Sequence, residues 1–406
     1  MTSTDERPLT GLRILDFSRV LAGPYLTQLL AALGADVVKV ESPSGDPTRI
    51  QGPPVHRGAS YYFHGTNRGK RSVVLDLESA GGRDLARKLA SHAAAIVENF
   101  RPGVLGRLGL DPADLRRANP GLVVLSISGC GDDAPPGDRD RPSFDLSTQA
   151  RGGAISINGR PGELPSRLAI PMGDLAGAFF GGIALLASLL RSARGGCGAT
   201  IDVSLLDSQV ALLGTWISLA SLSGRAPGPI GSAHASAMPY DVYEAADSPF
   251  VVAVFTDRFW LPFAEAIGRA DLAADARYST GALRVANRAD LDAELRPFFK
   301  TRNRAEWLQA FARRGVPADP VASILEALRD PALEHRGMVR WDSEGDSRVA
   351  EVAFPALIDG NVGFAGSAPE RLGGDRDSVL RDWLALNPSE IAELESASAF
   401  GSPARS

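Results

Sequence analysis

The first 130 residues alternate between short apolar runs and amphipathic segments, and this alternation constrains the fold more than any other feature of the sequence. The runs that we predict to be strands are 11–17, 36–41, 72–77, 94–99 and 122–128, and the helices predicted between them include 23–34 and 81–92. Strands connected through helices pair in parallel, because each crossover helix returns the chain to the end of the sheet at which the previous strand began. The sequence therefore predicts an α/β fold with a large, doubly wound, Rossmann-like domain.

The length of the chain indicates more than one domain. A single hydrophobic core stops growing beyond roughly 250–300 residues, and this chain has 406. The proline- and glycine-rich stretch 224–231 is typical of a linker, and the alternating residues at 240–255 predict a hairpin that amphipathic helices follow. We expect a large domain at 1–224, a smaller α+β domain at 225–338 and a C-terminal return to the large domain at 339–406.

An uncharged apolar run at 175–190 follows Asp174 and predicts a buried helix that begins at this aspartate. Two roles are open for the carboxylate. It can cap the helix by accepting backbone N–H groups, or it can act as a nucleophile that the helix dipole keeps ionised. The run is too short for a bilayer and contains glycines, so we interpret it as a core helix. A second long helix is predicted at 205–222.

The composition narrows the class of partner. Hydrophobic residues at 44% and charged residues at 22% are ordinary for a soluble globular protein, and the net charge of -5 offers no basic surface for nucleic acid or for a membrane. The two cysteines, Cys130 and Cys197, have no metal-ligand spacing and suggest a reducing compartment. The polar N-terminal segment does not resemble a signal peptide. We therefore predict a cytoplasmic protein with a small-molecule substrate and no metal site.

A nicotinamide cofactor is not expected, although the predicted fold often binds one. The first strand-to-helix turn, 18–24, lacks the G-x-G-x-x-G fingerprint and has Pro24 where a close-approach glycine is required.

Six short motifs, in this order and spacing, resemble those of the family III CoA-transferases, a group that includes formyl-CoA transferase, carnitine CoA-transferase and alpha-methylacyl-CoA racemase. The motifs are LDFSRVLAGP (15–24), LGADVVKVE (33–41), GDPTR (45–49), NRGKRS (67–72), VENFRPG (97–103) and PMGD (171–174). Further matches lie at 287–288, Trp307, 315–317 and 330–331. The resemblance implies an open-ring chain that interlocks with a second copy as a homodimer. It also implies that the N-terminal part of the large domain binds CoA.

The resemblance implies that Asp174 is the nucleophile and that Asp145 occupies an accessory acidic position beside it. A carboxylate can attack an acyl-CoA thioester to form an aspartyl anhydride, and the released thiolate can convert this anhydride into an aspartyl-CoA thioester. The substrates are an acyl-CoA, with succinyl-CoA as the default donor, and a carboxylic acid acceptor. No tightly bound cofactor is required. Backbone N–H groups near Gly173 or the Gly23 turn are candidates for stabilising the oxyanions.

The resemblance also implies a set of CoA-binding residues in the first-turn motif, the basic loop and the segment after the fourth predicted strand. They are Arg19, Val20, Ala22, Asn67, Lys70, Arg71, Asn99, Phe100, Arg101 and Arg107. Each arginine or lysine taken alone can equally be a solvated surface charge. We assign no catalytic role to His64, which lies in the same loop.

Two other functions remain open at this point. A racemase or epimerase of the same superfamily would need a histidine base just before Asp145, and this position holds Phe144. A CoA-binding protein without turnover would need the basic residues and not Asp174. Formate and oxalate are not expected as substrates, because Leu21 stands where formyl-CoA transferase has a glutamine and 222–238 contains no run of glycines.

Overall fold

The computed structural model describes residues 7–345 and 347–401. Within these limits the chain forms two compact units. Of the described residues, the first unit comprises 7–154, 167–223, 331–345 and 347–401, and the second comprises 155–166 and 224–330. The sequence predicts that 155–166 belongs to the large domain, and the structure differs. It groups with the second unit because its backbone pairs there, as in the hydrogen bond of 2.8 Å from the Gly231 N–H to the Gly159 carbonyl.

The strands are numbered in chain order. They are β1 (Arg13–Asp16), β2 (Asp36–Glu41), β3 (Val55–His56), β4 (Ala59–Ser60), β5 (Lys70–Val74), β6 (Ala95–Glu98), β7 (Val123–Ser128), β8 (Thr200–Ser204), β9 (Tyr240–Glu244), β10 (Pro249–Ala253), β11 (Ala318–Pro320), β12 (Val339–Glu344), β13 (Ser347–Val352), β14 (Leu357–Ile358) and β15 (Asn361–Val362).

The α-helices are numbered in the same way. They are α1 (Ala22–Ala32), α2 (Tyr61–Thr66), α3 (Ala80–Ser91), α4 (Val104–Arg107), α5 (Pro112–Ala118), α6 (Pro136–Arg139), α7 (Asp145–Arg151), α8 (Met172–Ala193), α9 (Leu205–Ala211), α10 (Gly214–Ser223), α11 (Trp260–Ile267), α12 (Ala270–Ala274), α13 (Gly281–Ala286), α14 (Arg288–Phe299), α15 (Arg304–Arg313), α16 (Ile324–Ala327), α17 (Pro331–His335), α18 (Arg376–Leu384) and α19 (Pro388–Ser396). Short 3₁₀ turns lie at Pro47–Ile50, Ile155–Ile157, Asp257–Phe259 and Ala276–Tyr278.

The first unit is built on a six-stranded sheet in the order β5-β2-β1-β6-β7-β8. Every neighbouring pair in this sheet is parallel, so the predicted α/β architecture is confirmed. The chain proceeds from β1 to β2 on one side, and β6 starts the other half on the opposite side of β1. The order therefore reverses between β1 and β6. Ligands of open parallel sheets bind at the carboxyl ends of the strands beside such a reversal.

Helix α8 packs through glycines against its neighbouring helices α9 and α1, which contribute Leu205 and Leu26. An added Cβ at Gly177 would lie 2.5 Å from a methyl group of Leu205, and one at Gly182 would lie 2.8 Å from a methyl group of Leu26. The opposite face of α8 is exposed, with Ile183 66% accessible. The prediction of a buried helix is therefore correct for one face. By length and composition α8 would also suffice to cross a membrane, but its glycine face belongs to the core of this unit.

The prediction of one long helix at 205–222 is wrong, because the structure has two shorter helices there. The segment forms α9 and α10, whose axes differ by 70°. The break falls just before Gly214, and glycine is a poor helix former, which favours an interruption there. The strands and helices predicted for the first 130 residues lie within a few residues of the observed ones.

The second unit packs helices against a three-stranded antiparallel sheet in the order β11-β10-β9. Its core is aromatic. Phe263 and Phe311 stack with their ring centroids 5.8 Å apart, and the fully buried Trp307 donates its indole N–H to the Phe299 carbonyl at 2.8 Å. The hairpin predicted at 240–255 is present as β9 and β10.

Candidate active site

A cleft of about 220 Å³ opens at the carboxyl ends of β1, β6 and β7, beside the reversal of the strand order. The cleft is lined by 19–22, 99–102, 127–129 and 141–144, together with Arg139, Asp174 and Leu205. The loops that follow three parallel strands thus meet the first turn of α8. This is the place where the topology predicts a ligand.

Asp174 is the third residue of α8, and its carboxylate borders the cleft. The helix is capped at Pro171, and Asp174 lies inside the first turn, so the interpretation of Asp174 as an N-cap is wrong. Burial, followed by the negative charge of Asp145, raises the pKa of Asp174 to about 7. A carboxylate with this pKa is more basic than an ordinary one and is still ionised in a large fraction of molecules at neutral pH. Both properties suit a nucleophile.

Asp145 is the first residue of α7 and is buried. One carboxylate oxygen accepts the Gly173 N–H at 2.8 Å, and the other accepts the side-chain N–H of Gln149 at 2.6 Å. An added Cβ at Gly173 would lie 2.3 Å from the Thr148 hydroxyl oxygen, so only glycine fits. Because the Gly173 N–H is already bonded to Asp145, it is not free to stabilise an oxyanion, contrary to one of the two candidates from the sequence.

The turn after β1 is held by Asn99 at the end of β6. The Asn99 side chain accepts the Arg19 N–H and donates to the Arg19 carbonyl, each at 2.7 Å. Val20 then adopts a left-handed backbone with φ of 69°, and no side chain caps the start of α1. The first N–H groups of α1, at Ala22 and Gly23, have no carbonyl partner within the helix. They can therefore donate hydrogen bonds to an anion bound at the N-terminus of α1.

Four arginines line the cleft. They are Arg19, Arg101, Arg139 and Arg141. Arg107 lies nearby, since its guanidinium and that of Arg139 are 3.6 and 3.9 Å from the position of a Cβ on Gly103. Within the described part of the chain, Arg101, Arg107, Arg139 and Arg141 have no ion-pair partner, whereas Arg151 pairs with Asp138 and Arg284 with Asp257. Unpaired cations gathered at a cleft indicate an anionic ligand such as a phosphate.

The family profile described as "CoA-transferase family III" matches residues 9–376, which is nearly the whole chain. The chain belongs to CoA-transferase family III. The predicted resemblance is thereby confirmed, and the protein is an enzyme that transfers CoA between an acyl-CoA and a carboxylic acid.

Relatives of the CoA-transferase carry specific names. The chain is 36% identical to succinate–glutarate CoA-transferase of Agrobacterium fabrum over 363 residues, which covers 86% of this chain and 89% of the relative. It is 39% identical to succinyl-CoA:mesaconate CoA-transferase of Haloarcula hispanica over 338 residues, with 82% and 84% covered. A crystal structure of a CAIB/BAIF family protein from Brucella suis superposes with a TM-score of 0.84 at 34% identity and covers 93% of this chain and 100% of the other.

Six of the residues predicted to bind CoA are brought together at the cleft of the CoA-transferase. They are Arg19, Val20, Ala22, Asn99, Phe100 and Arg101. Arg107 lies beside this group. The sequence reasoning missed Arg139 and Arg141, although the run DRDRP just before Asp145 is dense in arginine and was an available signal.

Asn67 and Lys70 do not reach the cleft. The Lys70 ammonium is fully buried and lies 2.9 Å from a carboxylate oxygen of Asp16, 2.9 Å from the Pro24 carbonyl and 2.8 Å from the Asn67 side-chain oxygen. Burial lowers the pKa of Lys70 to about 8, although the charge of Asp16 opposes this shift. This lysine has its full set of three acceptors inside the protein, so the geometry supports a structural role.

Arg71 is also occupied. Its guanidinium lies 2.6 Å from a carboxylate oxygen of Asp36 and 2.6 Å from one of Asp382 on α18. It thus fastens a C-terminal helix to the edge of the sheet, and the structure does not place it at the cleft.

Tyr62 on α2 was not predicted from the sequence. Burial raises the pKa of its hydroxyl, and the charges of Asp174 and Asp145 raise it further. The phenol therefore lies in the field of both carboxylates as a neutral hydroxyl group. Among the described residues, no three His, Cys, Asp or Glu side chains are arranged to hold a metal ion.

Proposed function

We propose that the enzyme transfers CoA from succinyl-CoA to a second carboxylic acid through covalent intermediates on Asp174. The observation that supports this most strongly is a carboxylate with its pKa raised to about 7 at the border of a cleft lined by unpaired arginines. The names of the relatives from Agrobacterium fabrum and Haloarcula hispanica support a succinyl donor and a dicarboxylic acceptor.

The proposed reaction begins when a carboxylate oxygen of Asp174 attacks the thioester carbonyl and CoA leaves as a thiolate. The product is a mixed anhydride of Asp174 and succinate. The thiolate then attacks the Asp174 carbonyl carbon, succinate leaves, and an aspartyl-CoA thioester remains. The acceptor carboxylate attacks this thioester and expels the thiolate, which finally attacks the acceptor carbonyl and releases Asp174 as a carboxylate. Each step exchanges one nucleophile for one leaving group, so no net proton is required.

The arginines and the start of α1 provide the proposed site for the phosphates of CoA. A second cavity of about 440 Å³ shares Arg19 and Phe100 with the cleft and adds apolar side chains at Phe17, Leu75 and Leu77. The Arg19 guanidinium lies 5.3 Å from the centre of the Phe100 ring. Apolar and aromatic surface beside cations matches a nucleotide base with its phosphates, so we assign the adenine to this cavity.

Trapping the covalent intermediate tests the function. The wild-type enzyme is incubated with succinyl-CoA that carries label in the succinyl group or in CoA, quenched, digested and examined by mass spectrometry. We expect label on the peptide that contains Asp174. Tight CoA binding with no adduct would favour a binding protein without turnover. Exchange of an alpha proton without an adduct would favour the racemase alternative.

The cleft itself does not favour the racemase alternative. Phe144 lines it with 71% of its surface exposed, and no histidine is among the described residues that line it. A phenyl ring can neither accept nor return a proton, whereas abstraction beside a thioester needs a base.

Charge removal at the cleft should weaken acyl-CoA binding, whereas charge removal at Arg71 should not. We expect the Arg101→Gln and Arg107→Gln variants to raise KM for acyl-CoA about 5- to 50-fold with little change in kcat, because phosphate contacts persist from ground state to transition state. The matched control is Arg71→Gln, which removes an arginine paired with Asp36 and Asp382. Steady-state kinetics at low salt give KM for acyl-CoA and kcat for all three variants. An increase confined to Arg71→Gln would reverse our assignment.

The pH dependence should report the ionisation of Asp174. Because the attacking carboxylate must be deprotonated, we expect kcat/KM to fall as pH is lowered through about 7. The Asp145→Asn variant should show this fall in kcat/KM, the acidic limb of the pH profile, at lower pH than the wild type. The reason is that the substitution removes the negative charge that opposes ionisation of Asp174. Glu98 is the control, because burial raises its pKa to about 7 as well, and Glu98→Gln should leave the limb in place. A limb that follows Glu98 and ignores Asp145 would contradict the assignment.

We also propose that the enzyme is a cytoplasmic homodimer. The support is the exposed face of α8, where Phe179, Phe180, Ile183 and Leu190 are 40–66% accessible. Exposed apolar patches of this kind mark interfaces, and a second copy is the occupant that the family resemblance implies. The interlocked open rings stay a prediction, as do the cytoplasmic location and the absence of nucleic-acid and membrane partners. Light scattering at micromolar concentration measures the oligomeric state.

A further inference from the structure

Gln149 on α7 is fully buried, and both ends of its side-chain amide are bonded. The amide nitrogen donates to a carboxylate oxygen of Asp145 at 2.6 Å, and the amide oxygen accepts the Leu168 N–H at 2.9 Å. The nitrogen also lies 3.3 Å from the Leu168 carbonyl and 3.5 Å from the Ile170 carbonyl. One buried side chain therefore joins Asp145 to the segment 168–170.

Asp145 and the segment 168–170 are both connected to the first turn of α8, which contains Asp174. The segment 168–170 runs directly into α8, and the second oxygen of Asp145 accepts the Gly173 N–H at 2.8 Å. Within the described residues, no side chain donates a hydrogen bond to the Asp174 carboxylate itself. The direction of that carboxylate is therefore set by the backbone of the first turn of α8, which these bonds hold.

We propose that Gln149 is a positioning residue that holds the first turn of α8 where the Asp174 carboxylate meets the thioester. The inference rests on the proposed nucleophilic role of Asp174. A neutral amide is required at this position because it donates on the Asp145 side and accepts on the Leu168 side. Methionine, of similar length, can do neither. Ionised glutamate accepts from Leu168 but repels Asp145, and only its protonated form can donate to Asp145.

The kinetic test compares Gln149→Met and Gln149→Glu with the wild type. Misplacing a reacting group by about 1 Å can cost a factor of 10². We therefore expect Gln149→Met to lower kcat about 10- to 100-fold while KM for acyl-CoA stays within about threefold. Compared with the wild type at the same pH, Gln149→Glu should lose least kcat at low pH and more as pH rises, because the proton shared with Asp145 is then removed. The matched control is Gln209→Met, which replaces a second buried glutamine, on α9, whose side-chain oxygen has no hydrogen-bond partner among the described residues.

A second measurement does not depend on activity. Hydrogen exchange of the peptide 167–174 should be faster in Gln149→Met than in the wild type, with no matching change in the six-stranded sheet. Unchanged exchange together with a kcat near that of the Gln209→Met control would overturn the positioning role. So would a Gln149→Glu variant whose pH profile copies the wild type, a measurement that stays decisive if Gln149→Met fails to fold. If the wild type forms no adduct at Asp174, the proposed function fails instead, and the exchange data still decide whether Gln149 holds this turn.

Discussion

Replacing Asp174 with asparagine or alanine should reduce CoA transfer by a factor of ~10⁴ or more. The residue forms the covalent intermediate in every step of the proposed reaction, so no other group can substitute for it. Affinity for CoA should stay within a few-fold, because the proposed nucleotide contacts are made by the arginines of the cleft and by α1. Exchange of labelled succinate into succinyl-CoA measures transfer, and calorimetric titration with CoA measures affinity.

A residual rate of even a few per cent of wild type would contradict the nucleophilic role of Asp174. Thermal unfolding provides the control for a correctly folded variant. In the folded state the pKa of Asp174 is raised to about 7 from 3.8, so the folded protein binds this proton more tightly than the unfolded chain. The stability that this group contributes is fully present below pH about 4 and is lost as pH rises through about 7. At pH 8 the asparagine variant should therefore unfold at a higher temperature than the wild type, whereas a misfolded variant would unfold at a lower one.

Replacing Lys70 with methionine should destabilise the first unit by ~3–5 kcal/mol. Removing one partner of a buried ion pair leaves the other charge buried without compensation. Here the remaining group is Asp16, which is the last residue of β1 and is fully buried. Burial alone would raise the pKa of Asp16, but the charges of Lys70 and Lys39 hold it below its usual range. Without Lys70, the carboxylate must either remain charged at a high cost or take up a proton.

Urea unfolding compares Lys70→Met with Arg71→Gln. Arg71 is its neighbour in the same motif, but its ion pairs with Asp36 and Asp382 are partly exposed, and such pairs contribute ~0–1 kcal/mol. We expect a large loss for the first variant and a small one for the second. If Lys70→Met keeps wild-type stability and instead raises KM for acyl-CoA, then Lys70 binds the nucleotide as the family resemblance implies, and the structural role is wrong.

The same two residues show where prediction from the sequence fails. Lys70 and Arg71 belong to a motif for which the family resemblance implies CoA binding, and the sequence contains no sign that one is buried and the other bound to a C-terminal helix. Arg71 lies 311 positions from its partner Asp382. Contacts of this kind depend on how the elements pack, because a side chain carries no local record of a partner so distant in sequence.

The elements of the sheet were predictable because their signal is local. Alternation of apolar strands with amphipathic helices fixes a parallel sheet, and the strand predicted at 36–41 coincides with β2. The family also followed from short motifs in order, and the same motifs imply the nucleophilic role that we propose for Asp174. Helix ends are less certain, because propensity changes little across one turn. For this reason the sequence left the N-cap position open for Asp174, whereas the residue lies inside the first turn of α8.

The sequence by itself determined the fold class, the family and the residues that approach the cleft from the β1 and β6 loops. Only the tertiary structure decided which cations are free to bind a ligand, that Arg139 and Arg141 join them, and that the Gly173 N–H is bonded to Asp145. It also decided that Asp174 is a strong base for a carboxylate. The physical reason is the same in each case. Burial, ion pairing and hydrogen bonding depend on distances between segments far apart in the chain, and folding sets those distances.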